Sequence, residues 1–335
     1  GDGYPTPARG LPRVASLSAH LSASYSAPVR GAQDPPTWIR LPGAVVMPEL
    51  SAKPQQKKKA EPRDLADPRL REKHDNDQHG YTKAGTDERN KLFYYGVKTT
   101  DVIQGAIADC YFVSALSAVA AEAPELIEKG MVDNGDNTYK VRFFAKENYY
   151  SSKYTEKWVT IDGDLPSRAG SDSPMYAKGQ KTRGGGRELW PALYEKAFAQ
   201  FKGGYDKMGE GGSTAGALEA LSGSRVSYAS TDTTPDDVLW TKLRQATVGD
   251  QAMAAGTRGK EDEDLYKGTR LYAWHAYTVL GAYEKGTGKN KKRVVKLRNP
   301  WGQTEPGSDG KDDGIFELSL EDFMKFYGSV NITNM

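Results

Sequence analysis

The chain has 335 residues, which is enough for one large domain or two modest ones with a substantial hydrophobic core. Its 46 lysines and arginines nearly balance its 44 aspartates and glutamates, so the charge predicts no general attraction to nucleic acid or to a membrane surface. No apolar stretch is long enough to span a bilayer. A single cysteine excludes an internal disulfide framework and favours a reducing compartment, so we expect a cytoplasmic protein.

Residues 1–85 differ in composition from the rest of the chain. They are rich in Pro, Ala, Ser and Arg up to Leu50 and densely charged from there to Asp77, with one hydrophobic cluster over 38–47. This composition predicts a mostly disordered tail. The three lysines at 57–59 fit either a solvated tail or a basic binding patch.

From residue 86 the pattern becomes globular, and we assign residues 86–208 to a first half. Its apolar residues recur at helical spacing in some stretches and alternate in others. The predicted elements are helices over 110–123, 125–129 and 187–201 and strands over 139–144 and 157–162. The polar, Gly-rich stretch 167–186 is predicted to be a surface loop that covers no core.

Residues 209–335 form the second predicted half, and the glycines at 209–212 mark the boundary because they permit a hinge. This half is richer in strands, so the complete pattern predicts an α+β fold. The predicted elements are helices over 215–221, 236–246 and 321–327 and strands over 251–255, 276–280, 293–298 and 314–318.

Cys110 lies where a polar turn meets the first apolar helix. Asp109 occupies the expected N-cap, which makes Cys110 the first residue inside the helix. Free amide hydrogens and the positive end of the helix dipole favour a thiolate at this position. Taken alone, the same placement also fits an inert structural thiol.

A nucleophilic thiol needs a base and a group that orients that base. Three of the four histidines lie in the predicted tail, so His275 is the only candidate base in the globular part. Asn299 ends a predicted strand at the turn Asn-Pro-Trp-Gly, where its side-chain carbonyl can accept the N–H of a histidine ring. Without further information, His275 also fits a core histidine and Asn299 an ordinary turn.

Several segments together resemble the signature motifs of the calpain family of cysteine proteases. They occur in the family's order between about residue 90 and residue 330, which makes the resemblance strong. The matching segments are Gln104–Tyr111, Glu188–Ala199, Gly211–Thr214, His275–Val279 and Arg298–Gly302.

The resemblance implies a papain-like two-subdomain protease core, with the cysteine on a helical half and the histidine and asparagine on a β-rich half. Cys110 would be the nucleophile, His275 the general base and acid, and Asn299 the residue that orients His275. Gln104 and the Cys110 backbone N–H would stabilise the oxyanion, and Trp301 would cover the His–Asn pair. Gly212 and Trp274 would contact the substrate.

The resemblance also implies Ca²⁺ binding, once in each half and outside any EF-hand. The matching oxygen donors in the first half are the carbonyls of Tyr94 and Gly96 and the carboxylates of Asp101 and Glu195; in the second half they are Glu305, Asp312 and Asp313. Lys311 and Ile315 stand where the family places further ligands, so the first site is the stronger expectation.

Two other positions depart from the family. Tyr111 replaces the usual tryptophan after the cysteine and keeps an aromatic wall. Trp274 replaces the usual glycine before the histidine, where its bulk would narrow the cleft.

We therefore predict a calcium-dependent, cytoplasmic cysteine endopeptidase that performs limited proteolysis on unstructured segments of proteins. Further domains or a regulatory subunit outside this sequence are expected as partners, whereas nucleic acid and a membrane span are not. The alternative is a catalytically inactive calpain-like scaffold or binding module. A transglutaminase also pairs cysteine with histidine and uses calcium, but it expects an acidic third residue where this chain has Asn299.

Overall fold

The computed structural model describes residues 60–71, 79–148 and 150–335. The described residues belong to one compact unit. Most of the predicted tail, including the hydrophobic cluster over 38–47 and the lysines at 57–59, lies outside the described residues. No helix in the described part of the chain is both long enough and apolar enough to cross a membrane.

The first part of the chain packs its helices and two small sheets around one hydrophobic core. The sheets are antiparallel, one of β1 with β5 and the other in the order β2-β3-β4. These elements are the helices α1 Cys110–Glu122, α2 Pro124–Lys129, α3 Trp190–Lys202, α4 Tyr205–Met208 and α5 Thr214–Ser222, and the strands β1 His79–Thr82, β2 Met131–Asp133, β3 Thr138–Lys146, β4 Tyr154–Asp162 and β5 Leu165–Arg168.

Helix α1 is the centre of this first core. Its residues from Tyr111 to Ala120 are all buried, which explains why small residues fill the spaces between the large ones. The rings of Phe112 and Phe198 stack with centroids 4.1 Å apart, so α1 and α3 are joined by an aromatic contact.

The second part of the chain builds a six-stranded antiparallel sheet in the order β10-β9-β8-β7-β11-β6. A second hydrophobic core lies against this sheet. The elements are the strands β6 Val226–Ser230, β7 Met253–Thr257, β8 Ala276–Lys285, β9 Lys292–Arg298, β10 Ile315–Ser319 and β11 Tyr327–Thr333 and the helices α6 Asp236–Val248 and α7 Leu320–Phe326.

Hydrogen bonds join the two parts of the chain. They connect α1 and the segment before it with β8, with the end of β9 and with the turn that follows β9. The Thr278 hydroxyl donates to the carbonyl of Ser114 at 2.7 Å. The Arg298 guanidinium donates to the Ser117 hydroxyl at 3.2 Å. The backbone N–H of Gln104 donates to the carbonyl of Pro300 at 2.9 Å. These contacts bring the start of α1 next to the ends of β8 and β9.

The stretch 167–186 is not only a surface loop, contrary to the sequence prediction. Met175, Tyr176 and Ala177 are buried in the first core. The glycine content correctly indicated irregular backbone, but it carried no information on the tertiary contacts that bury this part of the loop.

Helix α5 also differs from its predicted place. It was assigned to the second half, yet Ala217, Leu218 and Leu221 belong to the first core together with α1. At the end of the chain, the predicted helix over 321–327 stops at Phe326, and the following residues form β11 between β7 and β6 in the second sheet.

Residues 60–71 belong to the predicted tail, but they pack along the first core. Lys196, whose side chain is 1% exposed, provides much of this attachment. Its ammonium lies 2.6 Å from Asp67 and 2.6 Å from Asp162. The N–H of Tyr205 also donates to the carbonyl of Arg69 at 2.8 Å. A buried lysine needs such partners because its charge is costly to bury alone.

Replacing Lys196 tests this attachment. Lys196→Met leaves Asp162 without its buried cation, and we expect the free energy of unfolding to fall by about 3–5 kcal/mol. Chemical denaturation measures the change, with Lys153→Met at an exposed position as the control expected within about 0.5 kcal/mol of the original chain. A loss below about 1 kcal/mol in Lys196→Met would contradict a stabilising ion cluster.

Candidate active site

Cys110 is the first residue of α1, as the sequence predicts, and Asp109 is its N-cap. The Asp109 carbonyl accepts the N–H groups of Phe112 at 2.8 Å and Val113 at 3.1 Å, which begins the helix. Burial, together with the charge of Asp109, raises the pKa of the Cys110 thiol to about 11, and the nearby backbone N–H of Ala276 acts in the opposite direction. The sulfur therefore lies beside the residue that follows His275.

His275 and Asn299 are in direct contact. The His275 Nε2 atom lies 3.1 Å from the Asn299 Oδ1 atom, and both side chains are buried. The Asn299 Nδ2 atom donates to the carbonyl of Thr304 at 2.9 Å, which turns Oδ1 toward the histidine. Nε2 must then carry the ring proton, so Nδ1 is free to act as a base.

The histidine is held neutral in this environment. Burial lowers the pKa of His275 to about 4, although the hydrogen bond to Asn299 acts in the opposite direction. The backbone N–H of His275 donates to the Thr257 hydroxyl at 2.9 Å, which fixes the main chain at the start of β8. A neutral imidazole can accept a proton from a thiol.

Trp301 covers the histidine, as the sequence predicts for this position. The two ring centroids are 4.7 Å apart, and Tyr272 packs against the other part of the indole at 4.6 Å. The Trp301 backbone N–H also donates to Asn299 Oδ1 at 3.2 Å. The histidine–asparagine hydrogen bond is thereby shielded by aromatic surface.

Gln104 lies next to this group, but its side-chain amide points inward. Its Nε2 atom donates to the carbonyl of Ile107 at 2.8 Å and to the carboxylate of Asp109 at 3.2 Å. Both amide hydrogens are therefore already used. An oxyanion contact from Gln104 requires its side chain to give up one of these two acceptors.

Gly212 and Trp274 lie on opposite sides of the site. A β-carbon at Gly212 would come within 2.5 Å of the ring of Tyr111, so this close approach requires glycine. The Trp274 side chain is 78% exposed. Its φ of 52° is in the left-handed region, which a tryptophan rarely adopts. Tyr272, Ala273 and Trp274 also line a cavity of about 400 Å³ next to the histidine.

Among the predicted first-half calcium ligands, Asp101 lies beside a glutamate that the sequence analysis did not choose. That residue is Glu188, which is 2% exposed and accepts the backbone N–H of Tyr94. Burial raises the pKa of Glu188 to about 7, and the nearby charge of Asp101 contributes to the increase. Burial likewise raises the pKa of Asp101.

Glu195 lies elsewhere and does not join this group. Its carboxyl accepts the Ala177 N–H at 3.0 and 2.9 Å and hydrogen-bonds to Asp109 beneath the active site. Both glutamates occur in the same motif, and Glu188 precedes α3 whereas Glu195 lies within it. Of the two glutamates, Glu188 is therefore the one that lies beside Asp101.

The first-half group has the donor chemistry of a calcium site. Tyr95 and Gly96 have φ values of 66° and 79°, which gives the backbone beside the two acids a tight turn. The buried indole N–H of Trp190 lies near both carboxyls and acts to lower their pKa. Two neighbouring carboxyl groups are ligands of the kind that a hard cation prefers.

The second-half acids also come together, in the loop before β10. The carboxyl of Glu305 accepts the N–H of Gly314 at 2.9 Å and hydrogen-bonds to Asp312. Burial raises the pKa of Glu305, and the charge of Asp313 adds to the effect. Arg270 lies 3.6 Å from Asp312 and already neutralises part of this charge.

A third acidic group, formed by Asp64, Asp162 and Asp164, lies far along the chain from these motifs. Lys83 pairs with Asp164 at 2.6 Å, and Lys196 pairs with Asp162 at 2.6 Å. Two lysines thus offset most of the negative charge of this group, and we interpret it as an ion cluster that holds residues 60–71.

A model of the calpain family cysteine proteases matches residues 60–309. Calpain-13 of Rattus norvegicus is 26% identical over 258 residues, which cover 71% of this chain and 37% of that protein. The calpain-2 catalytic subunit of Rattus norvegicus is 25% identical over 264 residues, with 72% and 36% coverage. Calpain-9 of Rattus norvegicus is 26% identical over 273 residues, with 74% and 38% coverage. The chain spans little more than a third of these relatives.

The left-handed backbone at Trp274 yields a prediction about stability. Trp274→Gly should raise the free energy of unfolding by about 1 kcal/mol, because glycine adopts this φ without the steric cost of a β-carbon. Trp274→Ala is the matched control, since it removes the exposed indole and keeps the β-carbon. Denaturation curves that show the same gain for both variants would refute strain as the cause.

Proposed function

The chain belongs to the calpain family of cysteine proteases, and we propose that it is an active endopeptidase that uses Cys110, His275 and Asn299 as its catalytic residues. The observation that carries this proposal is the shielded contact between His275 Nε2 and Asn299 Oδ1, 3.1 Å long, beside the sulfur at the start of α1. This is the order of partners that a cysteine protease requires.

The arrangement of the two hydrophobic cores supports a papain-like division into subdomains. Cys110 begins the central helix of the first core, whereas His275 and Asn299 stand at the ends of strands β8 and β9 of the second sheet. The catalytic residues would then lie in a cleft between the two subdomains, where a substrate segment can enter in extended form.

The proposed reaction begins with proton transfer from the Cys110 thiol to His275 Nδ1. The sulfur attacks the carbonyl carbon of the scissile peptide, and the imidazolium returns the proton to the leaving amine. Water then attacks the thioester with His275 again acting as base, which releases the acid and restores the thiol. Asn299 holds the imidazole in the tautomer that both steps use.

The oxyanion of the tetrahedral intermediate would be stabilised at the start of α1. The Cys110 N–H lies in the first turn, where helix amides have no partner within the helix. The Gln104 amide would be the second donor once it turns from the carbonyl of Ile107. This turn is a conformational step that precedes catalysis.

The inward position of Gln104 is also the observation that favours the second candidate, a catalytically inactive calpain-like scaffold. A permanently occupied amide would leave the oxyanion with one donor fewer. The two candidates differ in an observable way, because only the enzyme cleaves a protein substrate.

We further propose that activity depends on Ca²⁺ held in the first half. The residues that would hold it are Asp101 and Glu188, with the carbonyls of Tyr94 and Gly96. Burial raises the pKa of both carboxyls, and the charge of Asp101 raises that of Glu188 further, which supports this assignment because a bound cation would compensate both negative charges. When bound, the ion would supply positive charge that keeps this segment in one arrangement next to α1.

In the second half, Glu305, Asp312 and Asp313 are the corresponding proposed ligands.

The proposed substrates are unstructured segments of proteins, and the proposed location is the cytoplasm, where a catalytic thiol stays reduced. Gly212 and Trp274 would contact the substrate on opposite sides of the cleft. One relative is described as a catalytic subunit, so a regulatory subunit or further domains are proposed partners of this chain as well.

The catalytic assignment is tested with casein as an unstructured substrate. Cys110→Ser and His275→Ala should each reduce cleavage by at least about a thousandfold, because each removes a group that reacts with the substrate or moves its proton. Circular dichroism and thermal unfolding of the variants check that the fold is retained. Continued calcium-dependent cleavage by Cys110→Ser would refute the mechanism, and absence of cleavage by the original chain with calcium would favour the scaffold.

The calcium assignment is tested by comparing the two glutamates. Glu188→Gln should raise the calcium concentration at half-maximal binding about tenfold or more, since it removes a charged ligand worth about 1.4 kcal/mol. Glu195→Gln is the control and should leave that midpoint unchanged. Isothermal calorimetry measures binding and casein cleavage measures the response. Full activity in excess chelator would contradict calcium dependence, and an equal midpoint shift in both variants would contradict the choice of Glu188.

A further inference from the structure

Two carboxyl groups that the proposed mechanism does not use meet directly beneath Cys110. Asp109 is the N-cap of α1 and is 0% exposed, and Glu195 lies in α3 and is 1% exposed. Their carboxyl groups hydrogen-bond to each other. No lysine or arginine of the described residues forms an ion pair with either of them.

Two buried carboxyls in contact cannot both remain charged, so they share one proton. Burial raises the pKa of Glu195 well above its usual range, and the charge of Asp109 adds to this effect. Burial also raises the pKa of Asp109 to about 6, while the hydrogen bond from Glu195 acts in the opposite direction. At neutral pH Glu195 is thus the protonated donor and Asp109 the charged acceptor.

Gln104 is the third member of the group. Its side-chain amide donates to Asp109 Oδ1 at 3.2 Å and to the carbonyl of Ile107 at 2.8 Å. Asp109 therefore accepts from two side chains that reach it from different segments. The Glu195 carboxyl is fixed in turn by the N–H of Ala177, at 3.0 and 2.9 Å from its two oxygens.

We propose that Asp109 and Glu195 are a proton-sharing pair of positioning residues that sets the orientation of Gln104 for peptide hydrolysis. Asp109 keeps one amide hydrogen of Gln104, and the other hydrogen turns from the Ile107 carbonyl toward the oxyanion. Glu195 supplies the proton that holds Asp109 as an acceptor in a site without a cation. This proposal rests on the proposed protease function, and it identifies the residues that hold the Gln104 side chain in place.

The geometry explains why a carboxylate stands at position 109. A carboxylate offers one oxygen to Glu195 and another to Gln104, whereas an asparagine amide offers a single acceptor oxygen to these two donors. The negative charge has a cost, because it disfavours the neighbouring thiolate and raises the pKa of Cys110. A residue that only capped the helix would not need to be buried against a second acid.

Other titratable groups also interact with the carboxyls of Asp109 and Glu195. Tyr205 from α4 and Tyr176 from the buried loop both have a pKa raised chiefly by burial, with contributions from the charges of Asp109 and Glu195. Cys110 and Tyr111 face Asp109 from α1 itself. These groups are neutral near pH 7, so Asp109 is the charge that a substitution would remove.

Asp109→Asn is the first test and has two readouts. The pH midpoint for alkylation of Cys110 by iodoacetamide should shift to lower pH, since a negative charge next to the thiol is lost. The kcat for a peptide substrate should nevertheless fall about tenfold to a hundredfold with KM little changed, because the single oxygen of the asparagine amide must serve both Glu195 and Gln104 and holds Gln104 less firmly. A more reactive thiol with slower hydrolysis is not expected from a merely structural effect.

Glu195 supplies the second test through a conservative pair of variants. In Glu195→Gln the side-chain amide can still donate to Asp109, and its carbonyl can still accept from Ala177. In Glu195→Leu no donor remains. We therefore expect Glu195→Gln to have a kcat at least about tenfold above that of Glu195→Leu. Thermal unfolding shows whether each variant is folded under the assay conditions.

Two results would overturn the proposal. One is an alkylation midpoint in Asp109→Asn equal to that of the original chain, and the other is an equal kcat in Glu195→Gln and Glu195→Leu, both folded. The alkylation readout needs no hydrolysis. If the original chain cleaves no substrate, the protease function fails, while a lowered midpoint in Asp109→Asn still supports a charged Asp109 beneath the thiol.

Discussion

The placement of the active site depends on one buried cation, the guanidinium of Arg298. It lies at the end of β9 and is 1% exposed. It donates to the Ser117 hydroxyl at 3.2 Å and to the carbonyl of Thr100 at 3.4 Å, both in the first part of the chain. Burial lowers the pKa of Arg298 to about 10, and the charges of Asp313 and Asp101 oppose that decrease. The next residue is Asn299, so the contact that joins the two cores also fixes the partner of the histidine.

The same burial that orders the site keeps its reacting groups uncharged. The pKa of the thiol is raised to about 11 and that of the imidazole is lowered to about 4, each chiefly by desolvation. Charge can then develop only when something in the site stabilises it. The amides at the start of α1 are aimed at that position, and a substrate carbonyl would bring the negative charge they can stabilise. The exclusion of water therefore keeps the free site uncharged and unreactive. It also strengthens the effect of fixed dipoles on the charge that develops during the reaction.

The parts of this arrangement that could be predicted from the sequence are those with local causes. An N-cap followed by small and apolar residues placed Cys110 at the first position of α1, and the turn after β9 placed Asn299 at a strand end. The position of β11 between β7 and β6 and the burial of Tyr176 could not be read in the same way, because both depend on partners far away in the chain. Gln104 was expected to face the oxyanion, yet its orientation is set by Asp109 and a buried proton that no sequence pattern displays.

The two glutamates of one motif show why the calcium ligands were the hardest part to predict. Each faces an aspartate in the buried region around α1, with Glu188 beside Asp101 and Glu195 against Asp109. The repulsion between two buried carboxylates can be removed by a bound cation or by a shared proton, and the surrounding residues decide which of the two occurs. Glu188 accepts the N–H of Tyr94, and the next residue, Tyr95, is 67% exposed, so the approach to this pair from the surface is short although both carboxyls are buried.

The pair of Asp109 and Glu195 has no such approach. Both residues are almost completely buried, and the Ala177 N–H occupies the outer side of the Glu195 carboxyl. A proton needs no ligand shell and fits between two oxygens, whereas a calcium ion requires six or more. The two glutamates of one motif therefore belong to pairs with different proposed roles. Glu188 and Asp101 are suited to binding a cation, whereas Glu195 and Asp109 are suited to holding the Gln104 side chain beneath Cys110.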